Sequence, residues 1–198
     1  MWDDRYAEPG YAYGTLPNDF LAAVAHRIPD GPVLCLGEGE GRNAVYLARQ
    51  GHPVTAVDQS AVGLGKAHSL AESHGVEIET IVSDLGAFDI GQERWAGIVL
   101  IFVHLPPALR SRVHRAAVAG LRPGGLLVLE AYTKGQLELA TGGPQSEALL
   151  FGLDELQRDL SGLVLEHAVE TERAIDEGRY HKGRSAVVQV LARKPEQR

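Results

Sequence analysis

An apolar run, Val33-Leu34-Cys35-Leu36, leads directly into Gly37-Glu38-Gly39-Glu40-Gly41 and from there into Arg42-Asn43-Ala44-Val45-Tyr46-Leu47-Ala48-Arg49-Gln50. The run has the unbroken apolar character of a strand covered on both faces, and Val45, Leu47 and Ala48 fall at helical spacing. The stretch therefore reads as strand, glycine loop and helix, an order at home in a parallel α/β sheet. A second apolar run, Pro53-Val54-Thr55-Ala56-Val57, ends in Asp58 and puts a carboxylate at the carboxyl end of the neighbouring strand. In open α/β sheets that position grips a ribose diol.

Spacing and charge narrow the nucleotide. A dinucleotide fingerprint places its third glycine three residues after its second, whereas Gly37, Gly39 and Gly41 alternate. Glu38 and Glu40 add carboxylates beside a helix N-terminus, where they repel a pyrophosphate that seeks the same dipole. A cationic, phosphate-free ligand fits better. S-adenosylmethionine has a ribose, an adenine, a sulfonium and an amino-acid tail, and it needs close backbone approach and an acidic ribose grip without a phosphate cradle.

The remaining chain extends the alternation. Asn18 caps an expected helix over Asp19–Ile28, and Pro29-Asp30-Gly31-Pro32 breaks it. Ser60 caps a helix from Ala61 to about Ser73, with Gly75 as its stop. Ile78–Val82 and Gly97–Val103 read as the third and fourth strands, and Pro106-Pro107 starts a helix running to Leu121. Pro123-Gly124-Gly125 reads as a turn into a fifth strand, Leu126–Ala131. Leu153–Leu160 looks helical. Leu163–Val169 and Ser185–Leu191 then read as strands without a helix between them, joined by the charged, turn-rich stretch from Glu172 to Gly183. Two such strands pair antiparallel, so the sheet is expected to end in a hairpin, with Arg193–Arg198 frayed. Before all this, residues 1–17 carry Tyr6, Tyr11 and Tyr13 among glycines and prolines with no sustained period, which reads as an irregular aromatic arm closing over a cleft.

At 198 residues the expectation is a single domain over residues 1–198. The balance of 19 basic and 26 acidic side chains, a formal charge of −7, disfavours nucleic acid as a partner, since phosphate-backbone binding depends on lysine and arginine. Cys35 is the only cysteine, consistent with a reducing cytosol, and its place in a strand makes it a buried hydrophobe. No apolar run approaches the ~20 residues of a membrane span, and Asp3-Asp4-Arg5 after Met1-Trp2 lacks the order of a signal peptide. A cytoplasmic enzyme without membrane contact is the expected setting. Oligomeric state is not legible in a single sequence.

With these motifs placed, the chain resembles the class I S-adenosylmethionine-dependent methyltransferases over nearly its full length, and within them the small tellurite-resistance-type enzymes. The resemblance is carried by Leu36-Gly37-Glu38-Gly39-Glu40-Gly41-Arg42-Asn43, Val57-Asp58, Ser83-Asp84-Leu85, Phe102-Val103-His104-Leu105-Pro106-Pro107, Leu121-Arg122-Pro123-Gly124-Gly125 and Tyr180-His181-Lys182-Gly183. It implies a Rossmann-like, mostly parallel seven-stranded sheet with an antiparallel C-terminal hairpin. It also implies that Gly37 and Gly39 approach the methionine part, Asp58 takes the ribose hydroxyls, Gln59 lies along the adenine, and Asp84 with Leu85 meets its edge. Glu38, Arg42, Phe102 and Tyr13 complete the expected cofactor set. Two positions depart from the family: Cys35 replaces the strand-one acid, which leaves Glu38 or backbone groups to hold the cofactor amino group, and Ala96-Gly97 replaces an acid at the fourth strand.

Methyl transfer from a sulfonium is an in-line displacement whose leaving group needs no proton, so the protein chiefly aligns the reactants in a dry pocket. His104 and His181 are the histidines nearest the expected cofactor edge, and Arg179, Lys182 and Arg184 surround His181 in sequence. This cationic cluster suggests a site for a thiolate, chalcogen oxyanion or other small metabolite, with His181, Arg184 and His104 as the catalytic candidates. His68 and His74 lack accompanying metal-ligand spacing. A non-catalytic S-adenosylmethionine-binding or scaffold protein is the alternative, and an NAD-dependent oxidoreductase a more distant one.

Overall fold

The computed structural model describes residues 2–139 and 141–196. Its strands are β1 (Val33–Leu36), β2 (Val54–Asp58), β3 (Glu79–Val82), β4 (Trp95–Ile101), β5 (Leu121–Tyr132), β6 (Val164–Glu177) and β7 (His181–Arg193). They form one sheet in the order β3-β2-β1-β4-β5-β7-β6, parallel through β5 and antiparallel from there on. The helices are α1 (Trp2–Tyr6), α2 (Asp19–Val24), α3 (Arg42–Arg49), α4 (Ala61–Ser73), α5 (Pro107–Gly120) and α6 (Leu153–Asp159).

Strand alternation sorts the core into two layers. Leu34, Leu36, Ile98, Leu100, Leu127 and Leu129 pack with Val113 and Ala117 of α5 and Leu156 and Leu160 around α6. Their neighbours Val33, Cys35, Val99, Leu126 and Val128 pack with Phe20 and Leu21 of α2, Leu47 of α3 and Leu64 of α4. Every residue of β1, β2 and β4 is buried, as continuous apolar strands between two helical layers require. Cys35 is fully buried, and desolvation raises its thiol well above the usual value.

Helix starts follow the chemistry of their caps. The Asn18 side chain accepts the Leu21 N–H at 3.0 Å and the Ser60 hydroxyl accepts the Gly63 N–H at 3.0 Å. The α2 element ends sooner than its apolar spacing suggests, passing at Ala25–Arg27 into a 3-10 turn.

Three expectations need correction. The arm opens with helix α1, which the scattered glycines and prolines after it concealed. Pro123-Gly124-Gly125 is a bulge inside β5, since Trp95 pairs with Leu121 and Gly97 with Leu126, so the strand absorbs the extra residues without a turn. The charged stretch from Glu172 to Gly183 is mostly strand: β6 and β7 pair as far as Glu177 with His181, and only Gly178–Tyr180 turns. Exposed ribbon edges carry charged residues without losing their pairing, which hid these strands from an apolar reading. The fraying expected over Arg193–Arg198 does not begin there, since Arg193 ends β7 and Lys194 exchanges backbone hydrogen bonds with Gly124 and Gly125; residues 197–198, like Met1 of the arm, lie outside the described residues.

Candidate active site

Beyond Val187, β7 has no β5 partner, and the hairpin projects past the carboxyl end of the parallel strands. Together with the arm it roofs a cavity of about 460 Å³ above the ends of β1, β2 and β4. Gly37, Glu38, Arg42, Asp58, Gln59, Asp84, Leu85, Phe102 and Tyr13 line this cavity, as do His104 and His181. Gly39 lies beneath the wall, donating its N–H to an Asp58 carboxylate oxygen at 2.9 Å.

The glycine loop is held by its own carboxylates. One Glu38 oxygen accepts the N–H groups of Asn43 at 2.9 Å and Ala44 at 2.8 Å, occupying the exposed donors at the start of α3. Burial in the loop pushes the Glu38 carboxyl up to about 7 despite those bonds and the nearby Arg42. Asp58 accepts from Gly39 and, through its other oxygen, from Ser60 at 2.8 Å, and desolvation holds it above its usual range. Glu40 turns away from the cavity, accepting the Ala12 N–H at 2.7 Å and meeting Lys66 at 3.0 Å. The two loop glutamates thus divide the work, Glu38 capping the helix and Glu40 pinning the arm.

Tyr6 closes the loop from above: a Cβ on Gly39 would lie 2.5 Å from its hydroxyl oxygen. The arm is tied further by Ser60 donating to Asp3 at 2.5 Å, by Arg5 donating to the Tyr13 hydroxyl at 2.8 Å, and by Glu8, which meets Arg179 at 3.0 Å and Tyr180 at 2.9 Å. Trp2, Arg5 and Tyr6 are cavity residues that sequence reading missed, because only long-range docking places α1 there. Tyr132, at the end of β5, was missed for the same reason.

Behind the site runs a buried polar network. Glu130, with no exposed surface, accepts from Asn18 at 2.5 Å, Gln189 at 2.6 Å and Arg173 at 2.6 and 2.8 Å. Glu177 accepts from Asn18 at 2.9 Å, Arg173 at 3.0 Å and Arg42 at 2.6 Å. The two carboxylates and two guanidiniums balance in charge, and they connect the glycine-loop helix to the hairpin. The Arg42 Nη1 is buried without a hydrogen-bond partner.

The catalytic candidates separate. His104 Nδ1 donates to the Leu149 carbonyl at 2.9 Å and its Nε2 accepts the Tyr132 N–H at 3.3 Å, so both nitrogens are committed. Burial pushes this ring down to about 4, leaving it neutral and structural. Arg184 pairs with Glu172 and its side chain is 74% exposed, whereas His181 is 8% exposed and lines the cavity. The two stand three positions apart along β7, an odd offset that sends them to opposite faces. Lys182 pairs with Asp176 at 3.4 Å and Arg179 with Glu8, so the expected cationic cluster is dispersed into ion pairs. His181 is instead enclosed by the rings of Tyr13 at 4.4 Å, Phe102 at 4.6 Å and Tyr132 at 5.4 Å. Burial, then the charge of Arg42, holds it neutral well below the usual histidine value.

The donor set tests which ligand fits. Carboxylates of Glu38, Asp58 and Asp84 outnumber the Arg42 guanidinium at the loop end of the cavity, and Glu38 already fills the Asn43 and Ala44 N–H groups, so a pyrophosphate meets excess negative charge and occupied helix donors there. An ammonium beside Glu38, a carboxylate beside the unpartnered Arg42 nitrogen and a ribose on Asp58 suit S-adenosylmethionine.

Residues 33–125 match the family model described as "Methyltransferase domain". The chain is 26% identical over 141 residues to the 2-heptyl-1-hydroxyquinolin-4(1H)-one methyltransferase of Mycobacteroides abscessus, covering 70% of this chain and 62% of that one. It is 33% identical over 133 residues to the tRNA 5-carboxymethoxyuridine methyltransferase of Escherichia coli K12, covering 61% of this chain and 51% of that one. It therefore spans between half and two thirds of the length of these curated relatives. The crystal structure of TehB from Haemophilus influenzae superposes with a TM-score of 0.72 at 22% identity, covering 89% of this chain and 61% of that one. That likeness carries the class I methyltransferase fold and does not assign the tellurite-resistance-type subfamily.

Proposed function

We propose that this chain, which carries a class I S-adenosylmethionine-dependent methyltransferase domain, transfers a methyl group to a small acceptor held under the hairpin. One observation carries the reading: Glu38 caps α3 from inside the glycine loop, which makes the loop end acidic and closes it to a diphosphate while leaving it fit for a cationic nucleoside. In this reading Asp58 holds the ribose, Gln59, Asp84 and Leu85 frame the adenine, and Gly37 and Gly39 let the backbone approach the methionine part. Glu38 faces the amino group and Arg42 the carboxylate. Phe102 and Tyr13 close the cavity on the acceptor side.

When bound, the sulfonium supplies an electrophilic methyl group whose leaving group needs no protonation. The chain's own contribution is alignment and exclusion of water: Tyr6 seals the loop, and the Glu8, Arg179 and Tyr180 contacts hold the arm over the cavity. His181 stands on the acceptor side, and the locked His104 fixes the backbone at Tyr132 beneath it.

One relative is named for a hydroxyquinolone and another for a tRNA base. The net charge of −7 and the acidic cavity favour a small molecule over nucleic acid. Among the described residues no helix is long and apolar enough to cross a membrane, and we place the protein in the cytoplasm. Calorimetric titration with S-adenosylhomocysteine and with NAD tests the assignment: binding of the first alone is expected, and binding of NAD alone would overturn it. Release of S-adenosylhomocysteine in the presence of acceptors separates an enzyme from a non-catalytic binder.

A further inference from the structure

We infer that the acceptor is a flat, uncharged aromatic molecule bearing a hydroxyl, and that Nε2 of His181 receives the hydroxyl proton; the inference rests on the methyl-transfer reading above. An oxyanion, thiolate or carboxylate would need a free cation near the hairpin, and the cations there are engaged. Arg179 pairs with Glu8, Lys182 with Asp176 and Arg184 with Glu172, while Arg5 donates to Tyr13 and lies 4.7 Å over the ring of Tyr180. Arg42 is tied to Glu177 at the foot of the hairpin, and in the reading above its unpartnered nitrogen is taken by the cofactor carboxylate.

The acceptor side presents aromatic surface. Tyr13, Phe102, Tyr132 and Tyr180 all line the cavity, with Tyr13 and Tyr180 6.0 Å apart and Phe102 stacked on Tyr132 at 4.6 Å. Leu149 and Pro144 extend the apolar wall. Such a wall favours a planar π-system, whose faces and edges match the rings around it. Within it, His104 has both nitrogens bonded. The Tyr180 hydroxyl is spent on Glu8. The Tyr132 hydroxyl and His181 Nδ1 are both buried without a partner, and of the two imidazoles only His181 keeps a nitrogen, Nε2, that an acceptor can reach as a base. A neutral imidazole nitrogen among aromatic rings accepts from a hydroxyl and so orients it.

The step balances. The acceptor O–H bond breaks with its electrons kept on oxygen, and the proton passes to His181 Nε2. An oxygen lone pair forms the new O–CH₃ bond while the S–CH₃ bond breaks, its pair returning to a now neutral sulfur. The positive charge moves from sulfonium to imidazolium, which loses its proton to solvent once the arm opens.

The test uses the full chain with S-adenosylmethionine and two acceptor panels, each read by S-adenosylhomocysteine release and product mass. One panel contains 1-naphthol, 4-nitrophenol and 8-hydroxyquinoline, and the other tellurite, selenite and 2-mercaptoethanol. Turnover confined to the aromatic panel is expected. His181→Gln should lower kcat about 100-fold with KM little changed, as loss of a general base does, and Tyr13→Leu should mainly raise KM. Lys182→Ala should behave as the parent. Turnover of the oxyanions or the thiol without the aromatics, or no turnover of any aromatic by protein that binds S-adenosylhomocysteine, overturns the inference and leaves the cofactor assignment standing. Protein that binds no S-adenosylhomocysteine fails the earlier reading instead.

Discussion

Arg42 and Glu177, 135 residues apart in the chain, meet at 2.6 Å and are both buried, so the first residue of the glycine-loop helix is tied to the last residue of the strand that starts the hairpin. The pair uses one terminal nitrogen of Arg42 and leaves Nη1 buried without a partner. An anionic group on the ligand would satisfy that nitrogen, and a charged hydrogen bond of this kind contributes about 1.5–3 kcal/mol.

Arg42→Met should therefore weaken S-adenosylhomocysteine binding by roughly tenfold or more, while 5′-methylthioadenosine, which lacks the amino-acid tail, should lose little. Calorimetry on both ligands decides it. Equal losses would show that Arg42 acts through the fold and not on the tail.

Glu38 provides a pH signature. Its carboxyl is raised to about 7 in the folded protein by burial, so the protonated form is favoured by folding. Its contribution is fully present below the unfolded value and is lost as pH rises through about 7. His104 and His181 work the other way, since their folded values are lowered and their contribution fades on acidification. The clean observable is therefore a difference: the Tm of Glu38→Gln relative to the parent should climb as pH is taken from about 5.5 to about 8.5. S-adenosylhomocysteine binding near neutrality should also release a proton in the parent, read from calorimetry in buffers of different ionisation enthalpy, and the variant should release less.

His181 must be neutral to accept a proton. Burial and the charges of Arg42, Arg5 and Arg173, with His104, Tyr13 and Tyr132 also facing the ring, hold its protonation well below the usual histidine range. At saturating cofactor, kcat/KM for an aromatic hydroxyl should keep its plateau below pH ~6.5 before the acid limb sets in. A limb at or above that value, removed by His181→Gln, would contradict the environment described here.

Gly41 stands where α3 meets α4. Its φ is +90°, and an added Cβ would lie 2.5 Å from the Ala67 Cβ and 2.7 Å from the Ala67 Cα. Backbone cannot rotate aside as a side chain can, so Gly41→Ala should cost about 2–4 kcal/mol in urea unfolding and should weaken cofactor binding with it. A variant of parental stability would mean that α4 is free to shift.

Arg173→Met would remove the cation shared by Glu130 and Glu177. Leaving a buried carboxylate without its partner costs about 3–5 kcal/mol, so a large fall in the urea midpoint is expected. A small change would show that Asn18, Gln189 and Arg42 satisfy both carboxylates unaided.

The loop end of the candidate site was legible because its signals are local. Gly37, Gly39 and Gly41 all have positive φ, a backbone demand that selects glycine, and the residues that follow β2 and β3 stand at the cavity because parallel strands all end at the same edge. The hairpin end was read less well. Sequence proximity grouped His181 with Arg179, Lys182 and Arg184, but in a strand successive side chains face opposite ways, and each of those cations found an acid on the arm or on the neighbouring strand.

The sequence by itself determined the strand-loop-helix unit, the acidic residue that ends β2 and the helix-free tail, since apolar period, glycine placement and capping act over a few residues. Only the tertiary structure decided which charges survive as free charges. Glu38 is consumed by a helix start, Glu40 by the arm, and Arg184 by Glu172, while His181 is left neutral among rings. Ion pairing and desolvation act over a few ångströms between residues far apart in the chain, and no local pattern records which of them will meet.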